Sequence, residues 1–453
     1  MRSWILPIIG LVTVSILTAG ACGGTTEATP ASADGATEEA APRYEAGVPD
    51  TYVPYVRTTP LCVAAPYADA GTITGPGFPT DDAGDDDAGL ALGPPQLASA
   101  GGPVLHNPRI VPVTYAGDEL ADQIEDFVGS IGCTDYWRQV TSEYGVGQAQ
   151  MLTPVRLADA APATITDSQI GAFIVKQIEA GTPGFANPPA DVLFSFYFPT
   201  TTTIELFGEQ SCSSFDGYHS SVRYGTSKTV AYAVMARCGS DDITTVTSTS
   251  THEFVEATTD PNPENNAAYL EPDESHLAFS FLAGGEAGDL CTFNRDADYT
   301  PDGYPFFVQR TWSNASILAG HDPCVPAPAG PFLAAIPDQP DSVPVQGFPG
   351  SGVTRGIAIP VGGTRTIDLH FHSDDPATTS WNISTNDVSK FGPDGASHLT
   401  LTLDRTTAMV GQVAHLTITR NSKSATYGAE PFSVRSSTST NTASWMGVVG
   451  DPQ

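Results

Sequence analysis

The chain has 453 residues and a formal net charge of −32, with 51 acidic residues against 19 basic ones. This charge argues against nucleic acid or an anionic lipid surface as a partner, because both repel a strongly acidic protein. The length allows more than one domain. Because charged residues make up only 15% of the chain, much of its surface must consist of Thr, Ser, Asn and Gly.

The first 21 residues are typical of a secretory signal, with an apolar run from Trp4 to Leu17 that is short for a membrane span. The small residues 19–21 before Cys22 resemble a bacterial lipobox, so we predict lipidation of Cys22; a signal cleaved without lipidation is the alternative. No later segment is long and apolar enough to cross a bilayer. The sequence therefore predicts an exported protein attached to the bacterial cell envelope only through its lipid, at the outer membrane or the cell surface.

Residues 22–100 are rich in Ala, Gly, Pro, Thr and Asp, which predicts a disordered tether. From residue 101 to 335, strand-like and helix-like patterns are mixed, which predicts an α+β domain. Residues 345–453 alternate apolar and polar residues between turn residues, which predicts a small Ig-like β-sandwich. The predicted fold class is therefore an α+β domain followed by a small all-β domain.

The predicted elements of the central domain follow in chain order. The helix in TITDSQIGAFIVKQIEAG has Thr166 or Asp167 as its N-cap and ends at Gly181. The run DVLFSFYFP is almost entirely apolar, which predicts a strand buried on both faces. The full series is a strand in RIVPVTYAG, helices in DELADQIEDFVGSIG, DYWRQVTSEYG and TITDSQIGAFIVKQIEAG, strands in DVLFSFYFP and KTVAYAVMARC, and a helix in TTVTSTSTHEFVEATTDP.

Six cysteines remain once Cys22 is set aside, and an even number in an exported chain predicts disulfides. None of them shows the C-x-x-C spacing of a thiolate metal site or a redox pair. Two of the predicted pairs would each close a loop of moderate length, and the third follows by elimination. The predicted pairs are Cys212 with Cys238, Cys291 with Cys324, and Cys62 with Cys133.

The segment THEFVEATTDP carries the main candidate site. Residues four apart share a helix face, so His252 and Glu256 can converge on one ion, while Glu253 lies about 100° round the axis. In metallopeptidases of the H-E-x-x-H type this geometry supplies two metal ligands and a general base. We therefore predict a zincin-like domain that binds a divalent metal, zinc in the first place, with Glu253 as general base. A carboxylate ligand in place of the second His widens the choice towards manganese, calcium or magnesium.

A further ligand must come from downstream, and the Gly-rich segment GGEAGDLC offers Glu286 or Asp289, because its glycines let the backbone approach an ion closely. His219 in FDGYHSS is a candidate accessory ligand or hydrogen-bond donor to a reacting oxygen; the alternative is a structural His bonded to a backbone carbonyl. For the helix itself, the alternative is a surface position in which His252 and Glu253 face solvent.

Six motifs follow one another between residues 101 and 324: GGPVLHNPRIVPVTYAG, YWRQVTSEYG, FDGYHSS, THEFVEATTDP, GEAGDLC and WSNA. These motifs and their order resemble the phosphate-induced protein 1, or EXORDIUM-like, family and its bacterial relatives. Bacterial members commonly read H-E-x-x-E-x-x-T-D-P, whereas plant members carry Gly in the place of Glu256 and Asn in the place of Asp260. The resemblance implies a complete ligand set here, with an accessory role for Asp260.

Two functions follow from these patterns. The first is a metal-dependent, peptidase-like hydrolase that acts on a peptide substrate. The alternative is a non-catalytic protein that binds a cell-envelope or extracellular polymer, in which the ion is structural and the β-domain binds glycans. The family resemblance supports both, because plant members are extracellular or cell-wall proteins without a settled enzymatic activity.

Overall fold

The structure is a computed structural model, and it describes residues 59–62, 73, 75, 77, 93–239, 242–282, 284–346, 352–375, 377–378, 380–392, 395–439 and 441–452. The predicted signal at 1–21, the predicted lipidation site Cys22 and most of the predicted tether lie outside these residues.

The described chain mixes helices with several β-sheets, which confirms the mixed α and β composition expected from the sequence. Up to residue 325, helices and strands alternate, with two 3₁₀ segments at Ser142–Tyr144 and Glu274–Phe281. In chain order the elements are β1 (Leu97–Ala98), β2 (Arg109–Thr114), α1 (Ala121–Ile131), α2 (Asp135–Thr141), β3 (Gln150–Met151), β4 (Val155–Arg156), β5 (Thr164–Thr166), α3 (Asp167–Ala180), β6 (Val192–Phe198), β7 (Thr203–Leu206), β8 (Glu209–Gln210), β9 (Gly217–Tyr224), β10 (Lys228–Ala236), α4 (Ile243–Thr259), β11 (Glu271–Pro272), α5 (Asp289–Thr292), β12 (Asp298–Tyr299), β13 (Val308–Gln309), β14 (Thr311–Trp312), α6 (Asn314–Leu318) and β15 (Cys324–Val325).

A mostly parallel sheet forms the centre of this region, in the order β3-β2-β6-β10-β9, with β4 also paired to β2. Strands β2, β6 and β10 are parallel, and only β9 runs antiparallel, along β10. All seven residues of β6 are buried, because α1 and α4 pack on one face of the sheet and α3 packs on the other. The apolar run of β6 therefore has the two-sided burial that its sequence predicts.

The helix ends follow the capping signals in the sequence. Thr166 is the N-cap of α3, and its side chain and that of Gln169 form a reciprocal capping box, which satisfies two otherwise unpaired backbone donors. Gly181 ends the helix with φ 70°, a left-handed conformation that glycine adopts without steric cost. Helix α4 begins at the N-cap Asp242 and ends at Asp260, whose following Pro261 disfavours a helical conformation at Asp260.

The last part of the predicted tether belongs to the fold. Strand β1 pairs with β11, and Leu97 is only 2% exposed within the main core. Further upstream, the Cys62 amide donates a hydrogen bond to Gly129. The low apolar content of the segment as a whole conceals these anchor points, each of which is paired with a distant part of the chain.

Three disulfides are present, and they join the same pairs that the sequence predicts: Cys62 with Cys133, Cys212 with Cys238, and Cys291 with Cys324. Such bonds are typical of exported proteins. The helices of the described residues include none with the length and apolar character needed to cross a membrane.

The C-terminal region consists of two sheets around a shared apolar core. Its strands are β16 (Leu333–Pro337), β17 (Asp341–Val345), β18 (Gly352–Ala358), β19 (Thr364–Ser373), β20 (Trp381–Asp387), β21 (Leu399–Leu403), β22 (Thr407–Ala408), β23 (Val413–Arg420), β24 (Glu430–Ser437) and β25 (Thr442–Gly450). One sheet has the order β16-β19-β23-β21 and the other β17-β18-β25-β24-β20-β22. Strands β16 and β17 begin before residue 345, where the sequence pattern places the start of the β-domain.

The C-terminal sheets also complete the core of the central region. Trp445 and Met446 of β25 belong to the same buried cluster as Phe254 of α4 and Leu290 of α5. Trp445 contacts the Phe279 ring edge-on, with ring centroids 5.6 Å apart. The two regions are therefore joined by a continuous apolar interior.

Candidate metal centre

Helix α4 directs three polar side chains towards the interior. His252 Nε2 lies 3.2 Å from Glu256 Oε2, as expected for residues one helical turn apart. The side chains of Glu253 and Glu256 are only 5% and 4% exposed, and that of His252 is 17% exposed. These values exclude the alternative in which His252 and Glu253 face solvent.

The loop after residue 284 meets these side chains and fixes one oxygen of each ligand carboxylate. The Gly288 and Asp289 amides both donate to Glu256 Oε1, at 3.0 and 3.1 Å. The Gly285 and Glu286 amides donate to Asp289 Oδ2, at 3.1 and 3.3 Å. The second oxygen of each carboxylate stays directed at the cluster, and Asp289 Oδ1 lies 3.6 Å from His252 Nε2.

Gln309 of β13 selects the tautomer of the neutral His252 ring. Its side-chain amide donates to Gly288 O at 2.8 Å, so its Oε1 is free to accept from His252 Nδ1 at 3.2 Å. When the ring is neutral, a proton on Nδ1 leaves a lone pair on Nε2, the atom that faces Glu256 and Asp289; partners of this kind orient metal-binding histidines. Sequence reasoning missed Gln309, and no local motif marks it.

His219 reaches the cluster from the edge strand β9. Its side chain is 4% exposed and lies between carboxylates, with Nδ1 3.7 Å from Glu253 Oε2 and 3.8 Å from Glu256 Oε2, and Nε2 3.4 Å from Glu286 Oε1. Neighbouring Tyr218 faces the opposite core, in keeping with the alternation of side chains along a strand. The His219 ring thus contacts acidic groups at both nitrogens, unlike a structural histidine held by a carbonyl.

The predicted accessory residue Asp260 lies at the C-terminus of α4. Its Oδ1 accepts a hydrogen bond from the Ala268 amide at 2.9 Å, and it is fully buried. Burial raises the pKa of Asp260, and the His219 ring is one of the charges that oppose this rise. Asp260 therefore contributes to the electrostatic field at the cluster, and its hydrogen bond with the Ala268 amide fixes the chain that follows α4.

The electrostatics of the metal-free cluster favour added positive charge. Burial raises the pKa of Asp289 to about 8, and the charge of Glu256 adds to this effect. Burial, followed by the charges of Glu256 and Asp260, raises the pKa of Glu286 well above its usual range. Glu256 differs, because the two histidines outweigh its burial and lower its pKa.

The pKa shifts of the two histidines also show that the cluster favours added positive charge. Burial lowers the pKa of His219, but the neighbouring Glu253 and Glu256 outweigh it and raise the pKa to about 9. Burial also opposes protonation of His252, yet its carboxylate neighbours, Glu256 first, raise its pKa well above the usual value. Protons supply this positive charge in the metal-free chain, and a divalent cation at the same place would displace them.

The donor set fits a divalent cation. Zinc bound at 2.0 to 2.2 Å in a tetrahedron separates its ligands by about 3.3 to 3.6 Å, close to the 3.2 and 3.6 Å that separate His252 Nε2 from Glu256 and Asp289. Two groups place all their ligand atoms within 4.8 Å of one another: His252, Glu256 and Asp289, and His219, Glu256 and Glu286.

Gly288 is required for its segment of the chain to lie this close to His252 and Glu256 of α4. A Cβ at this position would lie 2.7 Å from His252 Nδ1 and 2.8 Å from Glu256 Oε1, closer than real Cβ contacts. Its backbone is helical, with φ −73° and ψ −44°, so the need for glycine here is steric and not conformational.

Fold and site together define a mixed α/β protein with a buried histidine and carboxylate cluster suited to a divalent cation. No family model and no curated protein matches the chain.

Among solved structures, the similar chains include a chimeric titin Z1Z2 with a KLER exogenous peptide from decorin, at 11% identity and a TM-score of 0.15 over 27% of this chain and 47% of that chain. Domains 1–6 of the surface layer protein SbsC match at 13% identity and a TM-score of 0.15, over 22% of this chain and 12% of that chain. Titin M4 matches at 11% identity and a TM-score of 0.15, over 27% of this chain and 95% of that chain. This chain thus spans less than half the length of the first two, and such TM-scores carry no argument about function.

Proposed function

We propose that the central domain is a zincin-like, metal-dependent hydrolase in which His252, Glu256 and Asp289 hold a divalent cation, zinc in the first place, and Glu253 is the general base. The observation that carries the proposal is the convergence of His252 Nε2, Glu256 Oε2 and Asp289 Oδ1 in a buried site. Each of these carboxylates keeps one oxygen held by backbone amides. That arrangement orients the other oxygen before any ion binds.

The proposed reaction is hydrolysis of a peptide bond. A divalent cation at this site would polarise the substrate carbonyl and make a nearby water more acidic. Glu253 is placed to accept the proton of the attacking water, because its Oε2 is buried and makes no hydrogen bond among the described residues. Burial raises its pKa, with the His219 ring opposing that rise, and a carboxyl of raised pKa can pass the proton on to the leaving amine.

The proposal also includes the cellular location of the protein. Disulfides fit an oxidising compartment, and lipidation at Cys22 would hold the protein at the bacterial envelope, where its substrate would be a peptide or a peptide-bearing envelope polymer. The motif order shared with the EXORDIUM-like family supports an extracellular role and leaves the reaction open.

The decisive variant is Glu253→Gln, which keeps the shape of the side chain and removes the base. We expect metal content equal to wild type, measured by elemental analysis, and loss of peptide cleavage, measured by mass spectrometry on a broad peptide library. The matched control is Glu179→Gln on the exposed side of α3, which should leave both unchanged. Cleavage by Glu253→Gln at the wild-type rate would falsify the assignment of the base.

The same measurements separate the alternative function. Wild-type protein that binds metal but cleaves no member of the library would be a binding protein with a structural ion, as the family resemblance allows. Absence of bound metal after dialysis against zinc would remove the hydrolase proposal altogether.

A further inference from the structure

We propose that the centre is dinuclear: a second divalent cation binds between His219, Glu256 and Glu286, and the Glu256 carboxylate is shared by both ions. This inference rests on the proposed function, because the first ion is the one held by His252, Glu256 and Asp289.

The first support is His219, which the single-ion site does not use. Its side chain is 96% buried, taking the complement of its 4% exposure, and its Nε2 makes no hydrogen bond to any described residue. Leaving a buried ring nitrogen without a hydrogen bond costs free energy. The nitrogen points at Glu286 Oε1, which is also buried without a hydrogen bond in the described structure.

The second support is the spacing of these two atoms. His219 Nε2 and Glu286 Oε1 lie 3.4 Å apart, within the range of about 3.3 to 3.6 Å that separates two ligands of one tetrahedral zinc. Glu256 supplies the third ligand atom, since the three residues place their donors within 4.8 Å of one another.

The third support is the position of Glu256 between the two groups. Its Oε1 is held by two backbone amides, while Oε2 lies 3.2 Å from His252 Nε2. Glu256 Oε2 also lies 3.8 Å from His219 Nδ1; this distance places Glu256 beside the His219 ring and is not a spacing between two ligand atoms, since the second ion would bind Nε2. A carboxylate between two ligand sets can bridge two ions, which in paired sites lie about 3.5 to 4 Å apart.

The charge of the cluster agrees with two ions. Its ion pairs in the described structure join carboxylates only to the two histidines. If all five acids of the cluster are ionised, one divalent cation together with a protonated His219 leaves two negative charges uncompensated, whereas two cations with a neutral His219 leave one. Uncompensated charge in a buried site is costly. The acids are Glu253, Glu256, Asp260, Glu286 and Asp289.

The test is metal stoichiometry of the whole secreted chain, measured by elemental analysis after loading with zinc and dialysis. We expect two equivalents in wild type and one in both His219→Gln and Glu286→Gln. Glu286 lies at the margin of the cluster, with a side chain 15% exposed, so its variant should fold even if the His219 variant does not. Circular dichroism and thermal melting check the fold of each.

Loading with manganese distinguishes a paired site from a distant second ion. Two manganese ions at this spacing are magnetically coupled, so the wild-type electron paramagnetic resonance spectrum should show coupling that both variants lose. One equivalent in wild type would overturn the inference and leave the single-ion hydrolase intact. Two uncoupled equivalents, or two in both folded variants, would also overturn it, and no bound metal would overturn both proposals.

Discussion

Replacing Gly288 with Ala tests whether the close approach of this loop positions the metal ligands. An added Cβ would lie 2.7 Å from His252 Nδ1 and 2.8 Å from Glu256 Oε1, and an ordinary contact begins at 3.4 Å. Each ligand side chain must therefore retreat by about 0.6 to 0.7 Å. Metal sites tolerate deviations of only about 0.2 Å in ligand distance. We expect the Kd for zinc to rise about 10- to 100-fold, which corresponds to about 1.4 to 2.7 kcal/mol.

The metal-free fold should suffer much less than metal binding does. The backbone of Gly288 is already helical, so Ala restricts the unfolded chain and contributes about 0.4 to 1 kcal/mol of stability. This gain offsets part of the overpacking cost, since the crowded atoms are side-chain ends that can move. Urea unfolding with a chelator present should therefore show a net change within about 1 to 2 kcal/mol.

The assay is competition for zinc against a fluorescent chelator at fixed pH. The matched control is Gly171→Ala in α3, where the new Cβ would meet only Val222, at 3.4 Å. That variant should bind zinc like wild type and be as stable or slightly more stable. Wild-type zinc affinity in Gly288→Ala would refute the steric reasoning and would mean that the ligands are positioned by other contacts.

Two further predictions concern pH and the disulfide beside the site. Burial raises the pKa of Asp322 from 3.8 to about 6. The folded chain therefore binds this proton more tightly than the unfolded chain does. The stability that results is fully present below about pH 4 and is lost as the pH rises through 6. Between these limits the unfolding free energy of wild type should fall by about 2 to 3 kcal/mol relative to that of Asp322→Asn. The Asn side chain keeps the acceptor for the Cys324 amide. Unfolding free energies from urea titrations that change with pH equally in both proteins would contradict this. Replacing Cys291 and Cys324 with Ser opens a loop of 33 residues and should lower the unfolding free energy by about 3 to 4 kcal/mol. Zinc should also bind more weakly, because α5 carries Asp289. An unchanged zinc affinity would show that the backbone amide contacts alone hold the loop in place.

Local sequence signals predict the parts of the site that lie on one helix or in one turn. The spacing of His252 and Glu256 indicates a shared helix face before any tertiary contact is known, and the glycines around Glu286 and Asp289 indicate a tight approach. The N-cap Thr166 and the end of α3 follow from side-chain and glycine chemistry in the same way.

Other parts depend on long-range pairing and leave no local signal. His219 enters the cluster because β9 pairs with β10 in a register that sets it opposite Ala233, and the sequence of FDGYHSS does not encode that register. Gln309 acts from a two-residue strand 57 positions after His252. Leu97 is an anchor inside a segment of low apolar content, so averaging over composition hides it.

The shared apolar interior determines when during folding the residues of the candidate metal centre come together. Leu290 of α5 and the distant Trp445 of β25 belong to one buried cluster, so the packing of the helix that carries Asp289 is incomplete until β25 has docked. Contacts of such wide sequence separation form slowly, because their loop-closure entropy must be overcome first. A chain that lacks β25 would therefore keep His252 and Glu256 on α4 but lose part of the packing of α5, the helix that carries Asp289.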